Sequence, residues 1–117
     1  LGVGPGSRVI DLGCGTGDLL EEVGRTGAVA VGADISFEMM AHGRRRLPGA
    51  AFCRADAQCL PFADASFDAA ISAFALRNFA SIPAALAETA RVLRPGGRLA
   101  ILEVNVPDST LRRRLFE

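Results

Sequence analysis

Lysine is missing from this chain: all thirteen basic side chains are arginine. That removes a Schiff-base lysine, a lysine general base and the lysine that a phosphate-binding P-loop requires. Net charge is missing as well, since thirteen acids balance the thirteen arginines. No broad polyanion-binding face and no nucleic-acid partner are therefore expected. Cysteine is scarce. Cys14, Cys53 and Cys59 are odd in number and lack the C-x-x-C spacing of a zinc site, which reads as reduced, structural thiols without a metal. No apolar run approaches the roughly 20 residues that span a bilayer, and no basic leader precedes an apolar stretch, so a soluble, cytoplasmic protein is the expectation. What remains is a chain of 117 residues, half of them hydrophobic, which is enough for one buried core.

Five segments have the length and continuous apolar character of strands buried on both faces: "RVIDL", "AVAVGAD", "AAFCRAD", "FDAAISA" and "GRLAILEV". Helical patterns fall between most of them. In "GDLLEEVGRTG", Leu19, Leu20 and Val23 form an apolar face and Gly24 or Gly27 the stop. Ser36 is placed to cap a second helix, with Glu38 in its first turn and Arg44, Arg45 and Arg46 at its C-terminal end before Pro48. Ser81 caps a third, with Pro83 in the first turn and Ile82, Leu86 and Leu93 as the apolar face until "RPGG" ends it. Strands alternating with helices give an α/β fold of the Rossmann-like, doubly wound kind, with a mostly parallel sheet and right-handed crossovers. The chain starts at "LGVGPG" and closes on "STLRRRLFE", the opening turns of a helix that then stops. The expectation is a single domain core, residues 1–117, incomplete by itself.

In such sheets ligands bind beyond the carboxyl ends of the strands, and "LGCGTGD" follows the first strand directly. Gly13, Gly15 and Gly17 let the backbone turn sharply and approach a ligand. A dinucleotide fingerprint would place Gly or Ala at position 18; here Asp18 stands, an acid that repels a diphosphate and suits a cationic ligand. The helix dipole alone also favours an acid there. Asp34 ends the second strand roughly 20 residues on, where a carboxylate accepts hydrogen bonds from ribose hydroxyls. Asp56 ends the third, near where an adenine amino group would lie. Each has a plainer explanation, since Asp34 precedes a capped helix and Asp56 suits an Asx-turn. Three acids at three successive strand ends favour a site. Asp11 lies inside the first strand, where a buried carboxylate is costly unless paired; it either braces the glycine loop or meets an ammonium group.

Through "VIDLGCGTGD", "VGADIS", "ADAQCLPF", "FDAAIS" and "VLRPGGRLAILE" the sequence resembles the class I methyltransferases that use S-adenosylmethionine, over nearly its whole length. More narrowly, "ALRNF" followed by "RVLRPGGRLAILE" resembles the C-methyltransferases of ubiquinone and menaquinone biosynthesis. The resemblance implies S-adenosylmethionine as cofactor, held by Gly13, Gly15, Thr16, Asp34, Asp56 and Ala57, with Asp11 beside them. It also implies a small or lipophilic methyl acceptor, best a quinol ring carbon, and puts Arg77 and Asn78 on the substrate side as catalytic candidates. Family members carry upstream helices and further strands that this chain does not match. Ala73 stands where quinone methyltransferases often have serine, and "LEVNVPDST" departs from their usual ending. Methyltransferases of other small metabolites or lipid head groups share most of these motifs.

For ring methylation the nucleophile is a carbon activated by a phenolate. Arg77 is the candidate to stabilise that anion, since an arginine is not deprotonated at neutral pH; without the resemblance, a surface arginine at a helix entrance would be preferred. His42 reads as solvated; Met39 and Met40 have the place to lie near an adenine, but read rather as core filler facing the sheet. The two Arg-Arg-Arg groups read as solvated helix faces, with peripheral contact to an anionic membrane as the minor alternative. Two other classes remain: an NAD-dependent oxidoreductase, which Asp18 disfavours, and a non-catalytic cofactor-binding module.

Overall fold

A computed structural model of the chain describes residues 2–15, 17–73 and 79–102. Five strands and three helices follow in the order β1 (Arg8–Leu12), α1 (Asp18–Gly24), β2 (Val29–Asp34), α2 (Phe37–Arg46), β3 (Ala51–Arg54), β4 (Phe67–Ala73), α3 (Ile82–Val92) and β5 (Leu93–Leu102). The strands form one sheet in the order β3-β2-β1-β4-β5, and every pairing between neighbours is parallel. This is the expected doubly wound α/β fold. From β1 the chain winds outward through β2 and β3, then returns to β4 on the other side of β1. The topological switch therefore lies between β1 and β4, and the crevice beyond their carboxyl ends is where the fold leaves room for a ligand.

Both faces of the sheet are covered over β1 and β4, which explains why these strands read as continuous apolar runs rather than alternating ones. Ile10 and Leu12 of β1 join Ala70 of β4 and Ala85 and Val92 of α3 in one cluster; Val9 joins Ala69, Ile71 and Val23 of α1 in a second. The period of two along β1 separates these sets. Ser36 caps α2 by accepting a hydrogen bond from Met39 N at 3.3 Å, and Ser81 caps α3 by accepting from Ala84 N at 3.2 Å.

Two expectations about α3 and β5 require correction. The helix does not bury Ile82 and Leu86: Ala85, Thr89 and Val92 face the core, while Ile82 and Leu86 stay 39% and 38% exposed. Small side chains let α3 approach the sheet, and Leu86 is left beside Leu99 and Ile101 of β5. The ladder of β5 also begins earlier than "GRLAILEV". Leu93 already pairs with Phe67, and pairing resumes only at Ala69 with Arg98, so residues 94–97 bulge out of the ladder. A Cβ on Gly97 would lie 2.9 Å from Arg94 O and 3.1 Å from Asp68 O, both backbone atoms, which is why the second glycine of "RPGG" is needed.

Candidate functional site

The loop after β1 is held against the end of β2. Gly13 N and Cys14 N both donate to Ala33 O, at 2.7 and 3.1 Å. The φ angles of Gly13, Gly15 and Gly17 are +69°, +56° and +93°, a left-handed run that β-carbon-bearing residues adopt only under strain. The three glycines nevertheless have different neighbours. A Cβ on Gly17 would meet Leu47 Cδ1 at 3.0 Å and Phe52 Cζ at 3.1 Å, so the third glycine serves packing of the α1 entrance rather than ligand approach. A Cβ on Gly15 would meet only the tip of Met39, at 3.3 Å.

Asp34 is fixed by two backbone donors. Gly15 N donates to its Oδ2 and Ser36 N to its Oδ1, each at 2.8 Å. The carboxylate is thus oriented before any ligand arrives, and each oxygen keeps acceptor capacity. Asp34, not Asp11, braces the glycine loop. No side-chain hydrogen bond to Asp11 is found among the described residues. Its carboxyl, in a residue 2% exposed, is pushed up to about 7 by burial and then by the charge of Asp34. Cys14, also buried, has its thiol pushed up to about 12 by burial first and by Asp11 and Asp34 after it, so it is an inert structural thiol.

These residues line a cavity of about 600 Å³ beyond the carboxyl ends of the strands. Asp11, Gly13, Gly15, Asp34, Asp56 and Ala57 all contribute to its wall. Thr16, Arg77 and Asn78, the remaining candidates, lie outside the described residues. Ile35, Gln58 and Phe79 also line the cavity and were not singled out by the sequence. The signal for Ile35 was its place directly after Asp34. Met39 corrects an expectation: it is 44% exposed and lines the cavity, whereas its neighbour Met40 is the core residue, 2% exposed. Asp56 does form the plain turn, its Oδ1 accepting from Gln58 N at 2.9 Å and Gln58 Nε2 at 3.3 Å, and it lines the cavity besides.

Asp18 behaves less simply than expected. It borders the cavity, but its carboxylate pairs with Arg46 at 2.7 Å and its side chain is 87% exposed, so part of its charge is compensated. The negative character of the site's interior rests on Asp11 and Asp34. Counted along the wall, four carboxylates (Asp11, Asp18, Asp34 and Asp56) and no basic side chain line the cavity among the described residues. No group of three or more metal-ligating side chains is found among the described residues. A wall of this kind accepts hydroxyl donors and a cation, and offers a diphosphate no counter-charge.

A family model described as a methyltransferase domain matches residues 10–101. A demethylmenaquinone methyltransferase of Beutenbergia cavernae is 48% identical over 107 residues, 92% of this chain and 45% of that protein. The chain spans about half the length of the curated relatives it matches. Among solved structures, an S-adenosylmethionine dependent methyltransferase from Mesorhizobium loti superposes with a TM-score of 0.79 at 33% identity, covering 86% of this chain and 48% of that one. The [4+2]-cyclase SpnF superposes with a TM-score of 0.80 at 31% identity, covering 85% of this chain and 39% of that one.

Proposed function

The chain belongs to the methyltransferase domain family, and from that premise we propose that it forms the cofactor-binding core of an S-adenosylmethionine-dependent enzyme that methylates a quinol ring carbon. The observation that carries the cofactor is a cavity wall with four carboxylates, one of them paired with Arg46, and no basic lining side chain among the described residues, with Asp34 oriented by two backbone donors. S-adenosylmethionine has a ribose diol that needs acceptors, and a sulfonium and an ammonium that need negative charge. The residues fit it. Asp34 would hold the diol, Asp11 would face the ammonium, and Asp56 with Ala57 would border the adenine, while Gly13 and Gly15 leave the backbone approachable.

The same wall disfavours the NAD-dependent alternative, because among the described residues a pyrophosphate would meet carboxylates and no basic side chain. The fold does not fix the reaction, as the cyclase neighbour illustrates. The acceptor is inferred from the curated relatives, whose names specify demethylmenaquinone. When bound, the cofactor supplies an electrophilic methyl group for in-line displacement by a carbon nucleophile. The chain's own contribution is to place that methyl and to keep its surroundings anionic. Arg77 would stabilise the acceptor's phenolate, with Asn78 on the substrate side too, and the ring proton would go to water or to a residue outside these 117. The three free thiols accord with a cytoplasmic location, and no helix among the described residues is long and apolar enough to cross a membrane.

The test is calorimetric titration of the full-length protein with S-adenosylhomocysteine, alongside transfer of a labelled methyl group to demethylmenaquinol. Asp34→Ala is expected to weaken binding by about 1.5–3 kcal/mol, the range for hydrogen bonds to a charged group. Wild-type affinity in a folded Asp34→Ala variant would remove Asp34 from the site.

A further inference from the structure

The segment after β3 carries one wall of the cavity, through Asp56, Ala57 and Gln58, before it turns back toward β4. It has no sheet partner beyond an isolated bridge between its own Asp56 and Cys59. Among the described residues, every hydrogen bond that ties residues 56–62 to the rest of the chain goes to one of two side chains on α3. Leu60 N donates to Glu88 Oε1 at 2.8 Å. Arg91 Nη2 donates to Leu60 O at 2.9 Å and Nη1 to Phe62 O at 2.8 Å. Arg91 Nη1 also reaches Asp64 Oδ1 at 2.8 Å, and its Nε donates to Glu88 Oε2 at 2.7 Å.

Glu88 and Arg91 are therefore one device. They stand one helical turn apart, their ion pair fixes the guanidinium, and the pair then takes both backbone polar groups of Leu60. Leu60 is 4% exposed and sits in the core cluster with Ala57, so its backbone cannot turn to water instead. The pairing with Arg91, and then the Leu60 amide, holds the Glu88 carboxyl below the usual carboxylate range. The apolar anchors Ala57, Leu60 and Phe62 fix the depth of the segment but not its position along the cavity. Direction comes from the hydrogen bonds.

We propose that Arg91, locked by Glu88, is a positioning residue for the cofactor: it sets where Asp56, Ala57 and Gln58 stand and so sets the affinity for the adenosine end, without touching cofactor or substrate. The inference rests on the cofactor reading above. A planar fork is essential, because two carbonyls and two carboxylates are served at once; an ammonium does not reproduce that arrangement. Neither Glu88 nor Arg91 lines the cavity, so the chemical step is expected to be left alone.

The experiment uses the full-length protein and S-adenosylhomocysteine as probe. Arg91→Met and Arg91→Lys are each expected to raise Kd about tenfold. The cofactor KM should rise in parallel, while kcat at saturating cofactor stays within about twofold. A double-mutant cycle with Gln58→Ala should show the Arg91→Met effect shrinking, since the wall it positions has already been altered. Glu88→Gln, which keeps an acceptor for Leu60 N but frees the guanidinium, gives a milder loss of the same kind and decides the matter if the Arg91 variants do not fold. An unchanged Kd in a folded variant overturns the proposal. So does a fall in kcat with unchanged cofactor KM, or full rescue by lysine. Failure of the wild-type protein to bind the probe would instead overturn the cofactor reading.

Discussion

Asp11 and Asp34 illustrate what a single residue's place in sequence conveys. Both acids were legible as site candidates, from a strand interior and a strand end. Which of them braces the glycine loop was not, because that depends on the direction of Gly15 N, fixed by a positive φ that the letter G permits but does not specify. Asp11 consequently has no side-chain partner among the described residues, and its carboxyl is raised to about 7 against an ordinary 3.8. The sign of its effect on stability follows. Between about pH 4 and pH 7 the native state binds more protons than the unfolded one, so stability falls as pH rises through that window and is flat above it. Asp11→Asn removes the titration. It is expected to stabilise the ligand-free protein by up to about 4 kcal/mol at pH 8, and by much less at pH 5. Urea midpoints of both proteins at the two pH values provide the check. A gain of equal size at both would mean that Asp11 is not protonated in the native state.

At the scale of elements, strands and caps were readable because each has a local cause: β1 and β4 from apolar runs with turn residues outside them, α2 and α3 from Ser36 and Ser81. The misreading of α3 has a physical source. Ile82 and Leu86 repeat at helical spacing as Ala85, Thr89 and Val92 do, and hydrophobicity alone favours the larger pair. Helix-to-sheet distance favours the smaller set, and distance is not written in the pattern. The early start of β5 is the same kind of case, because pairing of Leu93 with Phe67 depends on where β4 lies. Its bulge yields a sharp expectation. Gly97→Ala would put a methyl against Arg94 O at 2.9 Å and Asp68 O at 3.1 Å, and neither backbone atom can swing away. The substitution should cost about 1–3 kcal/mol, as overpacking does, and lower the melting temperature. Gly49→Ala, with nothing within 4 Å of its added Cβ, serves as the control. Equal melting temperatures for the two variants would show that the bulge relaxes freely.

Over these 117 residues the charges cancel, yet among the described residues the cavity wall is one-signed, and that contrast bears on what binds. A net charge of zero means that these residues supply no monopole attraction for an ion. The attraction is local, set by Asp11 and Asp34 inside the crevice and by Asp56 and the partly compensated Asp18 at its border. S-adenosylmethionine carries one more positive charge than its demethylated product, so the carboxylates should favour it over S-adenosylhomocysteine, which makes otherwise similar contacts. Two conditions should erode that preference. Raising ionic strength from about 0.01 to 1 M shortens the Debye length from about 30 to 3 Å and screens the more exposed acids. Lowering the pH from 8 to 6 protonates Asp11, whose carboxyl stands at about 7. The ratio of the two dissociation constants, measured by calorimetry in the full-length protein, is expected to shift a few-fold toward the product under either change. Asp11→Asn should abolish the pH component and leave the salt component in place. A ratio indifferent to both pH and salt would mean that the carboxylates recognise hydroxyl and amine donors but do not sense the sulfonium charge.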